Sequence, residues 1–209
     1  MPLLVYLLMI YIVMCGGQYE ICGVPRNLIE IGGERLVDRT IRLLRENYVN
    51  DIAITTTNEA FNSCDAEIIN YDSSGEWVNA FYLTDDPVCY IFGDVYYSDA
   101  AIKKIVETQT HDIEFFASAP PFASKYIKPW AEPFAFKVVN TQHFRECVEK
   151  TREFWKNGYW RRHPIAWELW QIIKDTPINK INYNNYTVIN DFTCDIDSEM
   201  DMRRLKQTL

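Results

Sequence analysis

The chain reads as short apolar runs separated by amphipathic stretches. "MIYIVMC", from Met9 to Cys15, is apolar almost throughout and rich in Ile, Val and Met, as a strand buried on both faces must be. It stops at Gly16-Gly17, and a polar loop carries the chain to Arg26. In "ERLVDRTIRLLREN", Val37, Thr40, Ile41 and Leu44 recur on one face at helical spacing, with charged residues opposite. "DIAITTT" is again strand-like. The order strand, glycine loop, helix, strand is a βαβ unit and implies a parallel sheet. "VCYIFGD" continues the series and ends at Gly93-Asp94, after which Ser98 supplies an N-cap for "DAAIKKIVE". "DIEFFAS" and "PFAFKVVN" predict later strands. Thr141 is expected to cap "QHFRECVEKTREFWKN", where Phe144, Val148, Thr151 and Trp155 share a face and Gly158 marks the end. Pro164 suits the first position of a helix in "HPIAWELWQIIK". "YTVIN" reads as a late strand, and Ser198 with Asp201 has capping-box spacing before a last helix. No repeat, low-complexity tract or interdomain linker breaks the series. The pattern predicts a single-domain α/β fold with a mostly parallel sheet flanked by helices.

The 209 residues suit one domain of moderate size. Acidic residues outnumber basic ones 29 to 21, a net charge of −8, which argues against a general nucleic-acid binder because such a protein needs a basic face. The opening "MPLLVYLLMIYIVM" is apolar, but no Lys or Arg precedes Arg26, so it lacks the basic start of a signal peptide. It is also short for a transmembrane helix, and no membrane insertion is expected. The expected initiator is Met9, with residues 1–8 an upstream extension. None of the six cysteines forms a C-x-x-C pair, and several sit in apolar runs. They read as reduced, buried thiols of a cytoplasmic protein.

Ligands of open parallel α/β sheets bind beyond the carboxyl ends of the strands. Gly16-Gly17, Gly93-Asp94 and the acidic group Asp191, Asp195 and Asp197 all fall at such ends. Glycines after the first strand allow backbone amides to approach an anion, although an ordinary βα turn would read the same. Neither a P-loop nor a dinucleotide G-x-G-x-x-G is present. Asp94 is either a cap for the following turn or a metal ligand. Two carboxylates converging from separate strands suit Mg²⁺, which takes its remaining oxygens from phosphate and water. Asp197 could equally complement the dipole of the last helix, whereas Asp195 is less easily explained in that way.

These residues carry a resemblance. "YIVMCGG…VPRNLIEIGGERLVDRTIRLLREN" resembles the opening of the GT-A-type nucleotidyltransferases, the group of sugar-phosphate nucleotidylyltransferases, cytidylyltransferases and the molybdopterin-guanine type. Cys15-Gly16-Gly17 corresponds to their glycine loop, Pro25-Arg26-Asn27-Leu28 to Pro-Lys-x-Leu, and "EIGGERLVDRTI" to the following turn and helix. "YIFGDVYYS" is similar to the strand with the metal-binding Asp, here Asp94, and "DFTCDIDSEMDMRRL" to the closing motif that supplies the second ligand, Asp195 or Asp197. The family loop continues Gly-x-Gly-Thr-Arg where this chain has Gln18-Tyr19-Glu20, and Arg26 stands where Lys is usual. The resemblance implies a Rossmann-like GT-A nucleotidyltransferase fold over residues 9–209. It implies Mg²⁺ on Asp94 with Asp195 or Asp197, and an NTP held by Cys15, Gly16, Gly17 and Arg26. The reaction implied is transfer of NMP to a phosphorylated acceptor with loss of pyrophosphate. CTP, in surface-polysaccharide biosynthesis, is a guess from the family's breadth.

Residues 110–185 match less well and are expected to hold the acceptor region. There Arg161, Arg162 and His163, ahead of a helix, could hold the acceptor's phosphate, or form a solvated basic turn. Lys137 could face the site or be an exposed strand lysine. The competing readings are a glycosyltransferase using a nucleotide sugar, which would commonly carry Asp-x-Asp where this chain has Asp94-Val95-Tyr96, and a non-catalytic nucleotide-binding descendant.

Overall fold

The structure, a computed structural model, describes residues 9–17, 19–74, 76–118 and 131–209. The expected upstream extension at residues 1–8 lies outside the described residues. Seven strands form the main sheet: β1 (Ile10–Met14), β2 (Ile52–Thr56), β3 (Glu67–Asn70), β4 (Val88–Phe92), β5 (Ile113–Ala117), β6 (Pro133–Val138) and β7 (Thr187–Val188). Their order is β7-β5-β6-β4-β1-β2-β3. The block β3-β2-β1-β4 is parallel throughout. β6 alone runs against both of its neighbours, while β7 lies parallel to β5 at the edge. Every residue of β2 and β4 is buried, which is why neither strand reads as an apolar–polar alternation, although β2 ends in the buried threonines Thr55 and Thr56.

Five helices, α1 (Leu36–Glu46), α2 (Asp99–Glu107), α3 (Thr141–Lys156), α4 (Ala166–Ile173) and α5 (Glu199–Thr208), complete the frame. Strand alternation assigns two layers. Phe136 of β6 packs on Phe144 of α3 and Trp170 of α4. The next residue, Lys137, points the other way, where its Nζ donates to the Val106 and Thr108 carbonyls at the end of α2. The predicted stripe of α1, Val37, Thr40, Ile41 and Leu44, is buried.

Two boundaries differ from the sequence reading. α3 is capped by Asn140, whose Oδ1 accepts the His143 N–H at 3.1 Å; Thr141 is the first helical residue and donates to the Asp85 carbonyl instead. α4 begins at Ala166, so Pro164 lies outside it. There the Glu168 carboxylate folds back onto the Ile165 N–H at 3.0 Å and closes the helix start.

The polar segment after β1 is more ordered than its composition suggested. Glu20–Ile21 pairs with Val24–Pro25, and Glu30–Ile31 with Glu34–Arg35. Each hairpin has a two-residue turn with both φ angles positive: Cys22 at 54° and Gly23 at 76°, then Gly32 at 66° and Gly33 at 85°. This geometry matches strand twist and favours glycine. A separate apolar cluster, including Ile21, Ile31, Leu36, Tyr96, Ile196 and Leu205, lies under the hairpins. It fixes them to α5 and to a short ribbon in which Val95–Tyr96 pairs antiparallel with Cys194–Asp195.

Candidate active site

β1 sits centrally, where the chain turns from the β2-β3 side to the β4 side, so the carboxyl ends of β1 and β4 flank a crevice. Both strands end on a forced close approach. The Gly93 N–H donates to the Met14 carbonyl at 3.1 Å. A Cβ on Gly93 would stand 2.6 Å from both Cys15 Sγ and Met14 O and 2.7 Å from Asn27 Nδ2. Only glycine fits here, and its presence sets Asp94 beside the loop from β1. The ribbon then brings in the chain's far end. Asp195 is paired with Val95, and the Ile196 N–H donates to the Asp94 carbonyl at 2.9 Å. Asp195 N–H donates to the buried Glu132 carboxylate at 3.2 Å. Residues about a hundred positions apart are thus adjacent.

The result is a cleft of about 300 Å³ walled by Gly17, Tyr19, Arg26, Asp94, Asp195 and Asp197, with Met14, Trp77, Phe92, Pro133 and Ile165 as its apolar lining. Arg26 occupies a single 3₁₀ turn, Arg26–Leu28, directly after the first hairpin. Its guanidinium bridges two carboxylates: Nη2 is 3.0 Å from Asp94 Oδ2, and Nη1 bonds Asp197 Oδ1. The Tyr19 ring lies against it, with the guanidinium carbon 5.0 Å from the ring centre. Support comes from behind. Arg39 of α1 donates to the Tyr97 carbonyl at 3.0 Å, pairs with Asp99 at 2.9 Å and lies over the Tyr96 ring. The Tyr97 hydroxyl donates to the Phe134 carbonyl at 2.6 Å, and burial together with the nearby Asp94 charge keeps it protonated. The same two influences raise the Cys15 thiol.

Most of the residues expected at the nucleotide end, Gly17, Arg26, Asp94, Asp195 and Asp197, therefore meet in one cleft. Gly16 adjoins it, its carbonyl 3.4 Å from the Ser73 hydroxyl, and neither Gly16 nor Gly17 is dictated by crowding. Cys15 does not offer a free donor: its side chain is buried and its N–H donates to the Thr55 carbonyl at 3.0 Å, extending the strand pairing.

The acceptor-side expectations fare differently. Lys137 is removed from the cleft. Because β6 runs antiparallel, its end lies beside Val88, the start of β4, at the opposite edge of the sheet. Nor is it an exposed lysine; it is buried, and desolvation lowers its pKa. Arg162 is engaged locally, donating to Glu168 at 2.6 Å and to the His163 carbonyl, so the guanidinium and the start of α4 share one carboxylate rather than jointly facing a ligand. The His163 ring rests on Trp155 with centroids 4.4 Å apart. Arg161 is exposed, and from this segment it is Ile165 that reaches the cleft wall. Sequence reasoning missed Tyr19, Trp77 and Glu132. Trp77 lies on a 3₁₀ turn, Trp77–Asn79, with no periodic signal, and Glu132 precedes a strand that looked self-sufficient.

Among the described residues, no group of three or more His, Cys, Asp or Glu side chains is arranged to hold a metal ion unaided. No helix among them is long and apolar enough to cross a membrane. A site of one or two carboxylates completed by substrate phosphate is a different arrangement, and is the usual one for Mg²⁺. Asp94 and Asp197, close enough to share one guanidinium, fit that donor set.

No protein-family model matches the chain, and no curated protein matches it. Solved structures do. CTP:phosphocholine cytidylyltransferase from Streptococcus pneumoniae superposes with a TM-score of 0.55 at 16% identity, over 96% of this chain and 98% of that one. A putative glucose-1-phosphate thymidylyltransferase from Bacillus anthracis gives a TM-score of 0.60 at 14% identity, over 96% and 94%. These likenesses show the fold, a mostly parallel α/β sheet flanked by helices as in the two nucleotidyltransferase structures, in agreement with the expectation from the sequence.

Proposed function

We propose that this protein is a nucleotidyltransferase that joins the NMP part of an NTP to a phosphorylated small-molecule acceptor and releases pyrophosphate. One observation carries the reading: on a nucleotidyltransferase fold, Arg26, Asp94 and Asp197 converge at the carboxyl ends of β1 and β4, beside Gly17. Arg26 is the cation for the triphosphate, and its two-pronged donor geometry suits phosphate oxygens. The Gly16-Gly17 loop, with no side chains to intervene, gives backbone close approach to the same phosphates. Asp94 and Asp197 are the ligands for Mg²⁺, which supplies charge neutralisation and polarisation at the phosphoryl group when bound. Support for Asp197 over Asp195 comes from the shared guanidinium; Asp195 stands on the cleft wall, its backbone held by Glu132. The protein's contribution is positioning and electrostatics, since in-line attack on an α-phosphate needs little covalent help. The acceptor enters on the apolar side, against Trp77, Phe92 and Ile165.

A pyrophosphate-release screen tests this with Mg²⁺, the four NTPs and acceptors including phosphocholine and glucose 1-phosphate. Release that depends on one NTP and one acceptor is the expected result. A nucleotide-sugar transferase would release nucleoside diphosphate from a finished sugar nucleotide instead, and a non-catalytic binder would release neither product.

A further inference from the structure

The Arg26 bridge has a consequence for the order of binding, resting on the nucleotidyltransferase reading above. Its two terminal nitrogens each hold a different carboxylate, Asp94 and Asp197. These are the two side chains that a divalent ion would need. Tyr19 closes one side of the guanidinium, and the arginine side chain is only 17% exposed. Magnesium requires carboxylate oxygens at roughly 2.0–2.1 Å in near-octahedral array. A guanidinium already on both carboxylates blocks that array and repels a second cation across a few ångströms.

We infer that Arg26 is a built-in placeholder cation: it holds Asp94 and Asp197 in the nucleotide-free protein, keeps divalent-metal affinity low, and leaves them when a triphosphate arrives. The exchange conserves charge pairing. Before binding, among the described residues, the guanidinium bridges the two carboxylates. Afterwards the guanidinium meets phosphate, and the carboxylates become available to the metal that accompanies the nucleotide. The Arg26 N–H is bonded to the Tyr19 carbonyl at 3.2 Å, which anchors the backbone, so turning the side chain alone would suffice. The departure from lysine matters here: a single ammonium cannot place two donors on two carboxylates in a fixed fork. Free metal alone is then a poor ligand, and metal and nucleotide bind with positive coupling.

The test uses Mn²⁺ as the probe, followed by electron paramagnetic resonance of the unbound ion in the full-length protein without nucleotide. Arg26→Gln is expected to bind Mn²⁺ about tenfold more tightly than wild type, Arg26→Lys to fall between, and Arg26→Gln combined with Asp94→Asn to lose the gain. Thermal melts of each variant accompany the titrations, and Arg26→Lys carries the test if Arg26→Gln does not fold. Equal Mn²⁺ affinity in wild type and both Arg26 variants overturns the placeholder role. A second titration, with the α,β-methylene analogue of whichever NTP the screen selects, separates this failure from a deeper one. If Asp94→Asn weakens Mn²⁺ binding in its presence while the Arg26 variants change nothing in its absence, the metal site stands and the placeholder falls. If Asp94→Asn has no effect there either, both fall.

Discussion

Replacing Gly93 by alanine is the sharpest probe of how the fold builds its cleft. The new Cβ would stand 2.6 Å from Cys15 Sγ and Met14 O and 2.7 Å from Asn27 Nδ2, where ordinary contact begins at 3.4 Å. Relief therefore needs a displacement of about 0.8 Å, and one of the three atoms in the way is backbone rather than the end of a side chain. Met14 O is backbone in the central strand, bonded to the Gly93 N–H itself. Cys15 and Asn27 are both buried. Overpacking of this kind costs about 3 kcal/mol, and in a chain of this size each kcal/mol lowers Tm by roughly 2–4 °C, so Gly93→Ala should melt roughly 6–12 °C below wild type. The displacement falls on the residue before Asp94 and on the partner strand of the Gly16-Gly17 loop. A shift near 1 Å in such a frame lowers turnover about 100-fold, so pyrophosphate release at a temperature where the variant is still folded should fall by that order. Gly17→Ala is the matched control: among the described residues nothing lies within 4 Å of its Cβ, and its Tm should be unchanged. Differential scanning calorimetry with a pyrophosphate assay reads both effects. A Gly93→Ala protein that melts with wild type would refute the close-approach argument and with it the account of how Asp94 is placed.

Asp94→Asn and Asp197→Asn should each abolish Mg²⁺-dependent pyrophosphate release, the double variant being little worse than either because both act through one ion; Asp195→Asn should do less, and the reverse ranking in a steady-state assay would make Asp195 the second ligand. Lys137→Met should lower the denaturation midpoint by the equivalent of about 1–3 kcal/mol, since two carbonyls ending α2 lose their donor, while calorimetric NTP affinity stays at the wild-type value; weakened binding would return Lys137 to the site. Burial raises the Cys89 thiol to about 12 and those of Cys64 and Cys147 to about 11, against roughly 8.5 in an unfolded chain. The native state keeps these protons longer, so their stabilisation is full below about pH 8.5 and is lost as pH rises through 11–12. Lys137, with its lowered pKa, works in the opposite sense but as a single group against the several raised thiols and phenols. Urea midpoints at pH 8, 9.5 and 11 should decline, and a flat series would contradict the burial of the thiols.

The frame was legible because its elements are locally determined. β1, β2, β4, β5 and β6 are mostly buried and mostly apolar, interrupted only by Thr55-Thr56, Glu114 and Lys137, and α1 carries a complete stripe, so period and length alone located them. What escaped was set by pairing rather than by pattern. β3 is half-exposed, "EIIN", and exists because the edge of β2 is there to receive it. β7 shrinks to two residues for a similar reason: only Thr187 and Val188 align in register with β5, and Ile189 adds one further bond to the Ala117 carbonyl. The hairpins between Glu20 and Arg35 have strands of two residues, too short for any periodicity, yet Gly23 and Gly32-Gly33 were the visible sign of turns with positive φ.

The candidate site divides along the same line. Asp94 could be singled out because a carboxylate ending a buried strand is costly unless something receives it, and Arg26 because a known motif placed a cation there. Orientation across the sheet could not be read in that way. Lys137 looks like a site residue only if β6 is assumed parallel; its antiparallel course reverses which end faces the cleft, and no residue within "PFAFKVVN" encodes that direction. Arg162 misled for a different reason. A basic residue before a helix looks free in a one-dimensional view, whereas Glu168, six residues on, returns to the helix start and takes it. The choice between Asp195 and Asp197 turns on the same kind of fact. Two residues apart, they would share one face of an extended segment, so alternation cannot choose between them; it is the hairpin leading into Arg26, anchored by an apolar cluster that includes Ile21 and Leu205, that decides which of them the guanidinium meets. Chemistry announced by a single residue type was therefore readable, while chemistry that depends on which distant segment arrives beside it required the fold.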